Sequence, residues 1–61
     1  MLNDVFVHVM DFKQAGAKET VTLNDDGSYS IFINSRLNNE QQCNAYMHAL
    51  EHILSLDFQN D

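Results

Sequence analysis

Asn44-Ala45-Tyr46-Met47-His48-Ala49-Leu50-Glu51-His52-Ile53-Leu54 lies in the one segment whose apolar residues recur at helical spacing. At about 100° per residue, Cys43, Tyr46, Met47, Ile53 and Leu54 fall within roughly 60° of Leu50. That stripe is wide enough to seal one side of a small core, with Leu50 at its centre. His48 and His52 fall about 160° away on either side, in the middle of the opposite face. The spacing predicts a helix with a packing side and a histidine side.

Outward from this stretch, the helix start is marked by Asn38, a favourable N-cap, with Gln41 three residues on completing a capping-box pattern. Glu40 stands in the first turn, where the helix dipole favours an acid. The helix is expected near residues 39–55, with Leu56-Asp57-Phe58 closing the chain and Phe58 tucked back onto a sheet. Upstream, Asp4 to Phe12 alternates, with Val5, Val7 and Val9 pointing one way and Phe6, His8, Met10 and Phe12 the other. Period-two spacing of β-branched and aromatic residues reads as a strand, in which His8 is expected partly buried and hydrogen-bonded. Lys13 to Lys18, containing Gly16, is a connection. Glu19 to Leu23 forms a second strand, with Val21 and Leu23 on one face. Ser28 to Asn34 forms a third, with Tyr29, Ile31 and Ile33 on one side and Phe32 on the other. Between these two, Asn24-Asp25-Asp26-Gly27 is a strong hairpin signal, because Asn and Asp tolerate left-handed backbone and Gly adopts it without strain. The expected fold class is α+β, a three-stranded antiparallel meander packed on one C-terminal helix (βββα), as a single domain over residues 1–61.

Composition bounds what such a domain can do. Sixty-one residues lie near the lower end of what folds without staples. An apolar fraction of 44% and a charged fraction of 20% are globular values, so disorder is excluded. The single cysteine excludes an intramolecular disulfide and a cysteine-rich zinc site. Cys43 itself, on the apolar stripe, is expected to be a small buried hydrophobe. Met1-Leu2-Asn3-Asp4 opens with an acid where a signal peptide carries a basic segment, and no stretch has the length of a membrane span. A cytoplasmic protein is expected. Nine acids against Lys13, Lys18 and Arg36 give a net charge of −6, which argues against direct contact with nucleic acid or an anionic membrane. An acidic domain suits a partner with a basic surface, although solubility alone also favours net charge.

His48 and His52, at i and i+4, stand one helical turn apart, so both imidazoles can reach one metal ion. Read literally, His48-Ala49-Leu50-Glu51-His52 also fits the H-x-x-E-H pattern. As a bare motif, two histidines on an exposed helix face more often read as solvated side chains.

A resemblance covers nearly the whole chain. Asn3-Asp4-Val5-Phe6-Val7-His8-Val9-Met10-Asp11, the turn Ile33-Asn34-Ser35-Arg36-Leu37, the helix start Glu40-Gln41-Gln42 and the core His48-Ala49-Leu50-Glu51-His52-Ile53 with Asp57-Phe58 resemble short prophage-associated relatives of the ImmA/IrrE family. The resemblance implies a zinc-metallopeptidase-like scaffold, an H-E-x-x-H helix on a small sheet, with His48 and His52 in the places of the two zinc-binding histidines. This chain departs from that pattern at Ala49, where the general-base glutamate would stand. A methyl group cannot take a proton from metal-bound water, and Glu51 is not at the base position. A third ligand from a following helix is lacking too, with Asp57 the nearby substitute.

No catalytic residue is therefore expected. Cofactors are expected to be none, or zinc held weakly by His48 and His52. The leading expectation is a catalytically inactive, small acidic binding protein of phage type, an inhibitor of a host nucleic-acid-binding protein such as a CRISPR nuclease. Asp25 and Asp26 at the hairpin tip and Glu51 on the outer helical face are the expected partner contacts. Two alternatives stand beside it: a zinc-binding, metallopeptidase-like protein of the ImmA/IrrE type, and an oligomeric structural or regulatory module, such as a homodimer, that covers its histidine face.

Overall fold

Alternating apolar residues, a glycine-closed turn and a capped helix start divide the chain as its elements divide it. The computed structural model describes residues 4–14 and 16–59, apart from the side chains of 56–59. Strand β1 is Val5–Met10, β2 is Glu19–Leu23, β3 is Tyr29–Asn34, and helix α1 is Asn39–Gln59. The class is α+β, in the order βββα.

The β2–β3 hairpin forms as its turn residues dictate. The Gly27 amide donates to the Asn24 carbonyl at 3.0 Å, and the Asn24 amide to the Ser28 carbonyl at 2.8 Å. Gly27 has φ 89°, a left-handed conformation that a Cβ would strain. Leu23 then faces Tyr29 across an antiparallel ladder that runs to Glu19 opposite Ile33.

The third pairing differs from a meander. The sheet order is β1-β3-β2, and β1 runs parallel to β3, with Val5 opposite Tyr29 and Val9 opposite Ile33. The sheet is mixed, not purely antiparallel. Alternation identifies β1 as a strand but carries no information about its neighbour. What decides it is the connection, residues 11–18, which is long enough to cross two strand spacings, about 10 Å, and leaves a slot that β3 fills. Asn34, fully buried at the end of β3, holds that connection. Its Nδ2 donates to the carbonyls of Gln14 (2.8 Å) and Ala17 (2.7 Å). Its Oδ1 accepts from the amides of Phe12 (3.3 Å) and Arg36 (3.1 Å).

Among the described residues the core is six buried apolar side chains: Tyr29, Ile31 and Ile33 from β3, and Ala45, Ala49 and Ile53 from α1. The packing face of the helix is thus turned about 100° from the stripe centred on Leu50. The short side chains of Ala45 and Ala49 let the helix backbone approach the sheet, which a count of large apolar residues does not register. Leu50 packs on the core from the side, while Tyr46, Met47 and Leu54 are exposed. Cys43 is exposed, not buried. His8 is exposed as well and stacks on Phe32, with ring centroids 5.1 Å apart.

The capping box forms as expected: Asn38 Oδ1 accepts from the Gln41 amide at 2.8 Å, and Gln41 Oε1 from the Asn38 amide at 3.0 Å. At its other end α1 continues through Leu56-Asp57-Phe58 to Gln59 instead of turning back at residue 55. The side chain of Phe58, expected on the sheet, lies outside the described residues. Among the described residues, α1 packs on β2 and β3 and leaves β1 uncovered.

Candidate metal centre

Glu19 opens β2, and its pairing with Ile33 puts it on the same side of the sheet as the buried Ile31 and Ile33 and as Val21. On that side α1 passes over β2 with its histidine flank. His48 Nδ1 lies 2.9 Å from Glu19 Oε2, and the ring of His52, one turn further on, is centred 4.5 Å from that of His48. One donor atom from each of Glu19, His48 and His52 lies within 4.8 Å of the others. Donors in a tetrahedral zinc site stand about 3.3 Å apart, given bond lengths of about 2.0–2.2 Å. The three residues lie close enough to hold a metal ion.

The cluster is built from unequal parts. The Glu19 side chain is 12% exposed and that of His48 is 58% exposed, so a metal bound there keeps its outer side open to water. Both histidines stand where the sequence places a pair of ligands. Glu19 is the residue that sequence reasoning missed. Its signal was parity: it alternates with Val21 and Leu23, so an acid occupies a position turned towards the core, where burial demands a partner. Asp57, the substitute ligand suggested by sequence, has a side chain outside the described residues.

Ala49 does not face this cluster. It is fully buried among the β3 side chains, so the residue following the first histidine points into the core. Glu51 is exposed. None of the residues 49–51 places a proton acceptor on the Glu19, His48 and His52 group.

The three expected partner contacts have different surroundings. Asp25 and Glu51 are exposed. Asp26 is engaged in the turn itself: its Oδ1 accepts from the Ser28 amide at 2.9 Å and from the Ser28 hydroxyl at 2.6 Å. Those hydrogen bonds, the hydroxyl's first, hold its carboxyl below the ordinary aspartate pKa. At the opposite end of the sheet, Arg36 Nε donates to Asp11 Oδ1 at 2.7 Å, and that bond is the largest cause of the lowered pKa of Asp11.

No family model, no curated protein and no solved structure matches the chain. No helix among the described residues is long and apolar enough to cross a membrane.

Proposed function

We propose that this chain is a non-catalytic acidic binding protein that occupies a basic surface on a larger nucleic-acid-binding protein, as an inhibitor of a CRISPR nuclease would. The observation that carries this reading is the polarity of its charge. The Tyr29 amide donates to the Asp4 carbonyl, which ties the start of β1 to the hairpin tip and gathers Asp4, Asp25 and Asp26 at one end of the sheet. Lys13, Lys18 and Arg36, all the cations of the chain, belong to the segments around the other end. Helix α1 begins at that cationic end and runs back past Glu19 and Val21, so the negative end of its dipole adds to the acidic one. A molecule polarised in this way is steered end-on towards positive charge.

The test is competition against labelled DNA for an RNA-guided nuclease. Displacement of DNA is expected, weakening by about tenfold or more as salt rises from about 50 to about 300 mM, because screening shortens the reach of exposed charges. Asp4→Lys with Asp25→Lys should weaken it further at low salt. Displacement that ignores both salt and charge reversal would overturn the electrostatic reading.

Glu19, His48 and His52 support a second reading, a zinc-binding protein of the ImmA/IrrE metallopeptidase type. In that reading the three side chains would hold the ion, which would supply Lewis-acid chemistry there. With Ala49 in the core no general base follows, so binding and not hydrolysis is the expected outcome. Calorimetric titration with zinc, repeated on His52→Ala, tests it: one-to-one binding lost in the variant supports the reading, and unchanged binding sinks it.

A further inference from the structure

The helix covers two strands of three, and what it leaves bare has a definite shape. Its histidine flank overhangs β2, so the opposite flank, with Tyr46, Leu50 and Leu54, faces the space above β1. The residues of β1 on that side are Val5, Val7 and Val9, because Val7 pairs with the buried Ile31 and Val9 with the buried Ile33. Val5 packs against the core. Val7 and Val9 remain 44% and 53% exposed, and on the helix Tyr46 and Leu54 remain 36% and 45% exposed. Together they make a step, with a valine floor and an apolar helical wall.

The step has the width of one helix. Strands stand about 4.8 Å apart and packed helices about 8–10 Å apart, so a helix laid beside α1 would rest over β1. Its rim is acidic. Glu51 stands at the top of the wall, three residues before Leu54. Glu40 stands further along α1, and Asp4 lies at one end of the floor, both exposed. At the other end of the floor the nearest cation, Arg36, is already paired with Asp11.

We infer that this step docks one amphipathic helix of the partner, apolar towards Val7, Val9, Tyr46 and Leu54 and basic along the edge that meets Glu51 and Glu40. The inference rests on the basic-partner reading above and supplies its recognition element. A second copy of this chain fits less well. Its helix already engages Ala45, Ala49 and Ile53 with its own sheet, and the side opposite those residues carries Glu51. That side would set a carboxylate on two valines, an unpaired burial that costs several kcal/mol. Apolar contact with a preformed step would give the complex its lifetime, and the acidic rim its orientation.

The experiment follows backbone amide shifts of the isotopically labelled protein on adding synthetic peptides of about 18 residues, five helical turns. One peptide is Leu and Lys at helical periodicity, one has the same composition in an order without an apolar face, and one replaces Lys with Glu. The amphipathic Leu/Lys peptide is expected to move the amides of Val7, Val9, Tyr46 and Leu54. The other two should bind about tenfold or more weaker. Leu54→Glu should weaken the Leu/Lys complex by a similar factor and Val7→Thr severalfold. Circular dichroism checks that both half-exposed substitutions leave the fold intact. Equal binding of the two Leu/Lys peptides, with shifts at Asp25 and Asp26, would overturn the step and leave the charge reading standing. Equal binding of the Leu/Glu helix at the step would overturn the basic edge and the charge reading with it. No binding by either helical peptide would overturn the step, and so would a dimer in sedimentation whose dissociation moves Val7 and Leu54, since a second copy would then be its occupant.

Discussion

Asn34 carries more of the topology than any other residue. Two carbonyls and two amides converge on one buried carboxamide, and those bonds fix where residues 11–18 cross the end of β3. Asn34→Ala leaves the carbonyls of Gln14 and Ala17 without that donor. An unmet buried polar group costs about 1–3 kcal/mol, so the variant should lose about 2–4 kcal/mol in urea denaturation. Asn34→Asp should be no better, because a carboxylate accepts but cannot donate to those carbonyls. A loss within error of zero would show that the connection holds itself in place. Asp26 and Asp25 differ in the same residue-level way. The sequence marks both as turn residues, and only the turn geometry tells which carboxylate is occupied. Asp26→Lys should lower the melting temperature, whereas Asp25→Lys should not. The pH dependence follows in sign. The carboxyls of Asp26 and Asp11 have folded-state pKa values below the ordinary 3.8. Their contribution is therefore present above the unfolded value and lost as pH falls through the lower folded values. Melting temperature should drop as pH falls below about 4, and drop less in Asp26→Asn. An equal drop in that variant would remove Asp26 from the account.

At the scale of the element, the spans of the strands, the closing turn and the helix cap were legible because each rests on neighbours in sequence. The facing of α1 was not. Large apolar residues at Tyr46, Met47 and Leu54 outweigh two alanines in any pattern of hydrophobicity, yet the helix packs on the sheet through the side that carries Ala45, Ala49 and Ile53. The order β1-β3-β2 was illegible for a related reason: pairing partners are chosen by the reach of a loop and by Asn34, and alternation reports neither. Burial now ranks the helix residues. Ile53 is fully buried and Leu50 only partly, so Ile53→Ala should cost about 2–5 kcal/mol and Leu50→Ala clearly less. Placing glutamate at position 49 should unfold the domain and not create a peptidase, since that side chain points at β3. Denaturation midpoints of the three variants decide this. Leu50→Ala losing as much as Ile53→Ala would return the packing face to the Leu50 stripe.

For the whole molecule, the limiting quantity is core size. Among the described residues six apolar side chains are buried, two of them alanine, which places the chain where small domains gain most from a staple between elements. Glu19 and the two histidines span such a junction, since β2 and α1 meet there and their closeness exists only when the sheet and helix are assembled. That dependence explains what was legible of the site. His48 and His52 are four residues apart and could be read from spacing, whereas Glu19 is 29 residues from His48 and joins them only through the fold. It also sets the sign of a metal's effect. An ion that binds the assembled trio and not the unfolded chain stabilises by RT ln(1 + [L]/Kd), about 2.7 kcal/mol at a hundredfold excess over Kd. In a domain of this size that corresponds to a rise in melting temperature of about 10 °C or more. The rise should reverse with a chelator. His52→Ala and Glu19→Gln should each remove it, the second because it takes away the charged donor from β2 while leaving the helical pair intact. A rise that survives Glu19→Gln would place the ion on the helix alone, where it could not hold strand and helix together.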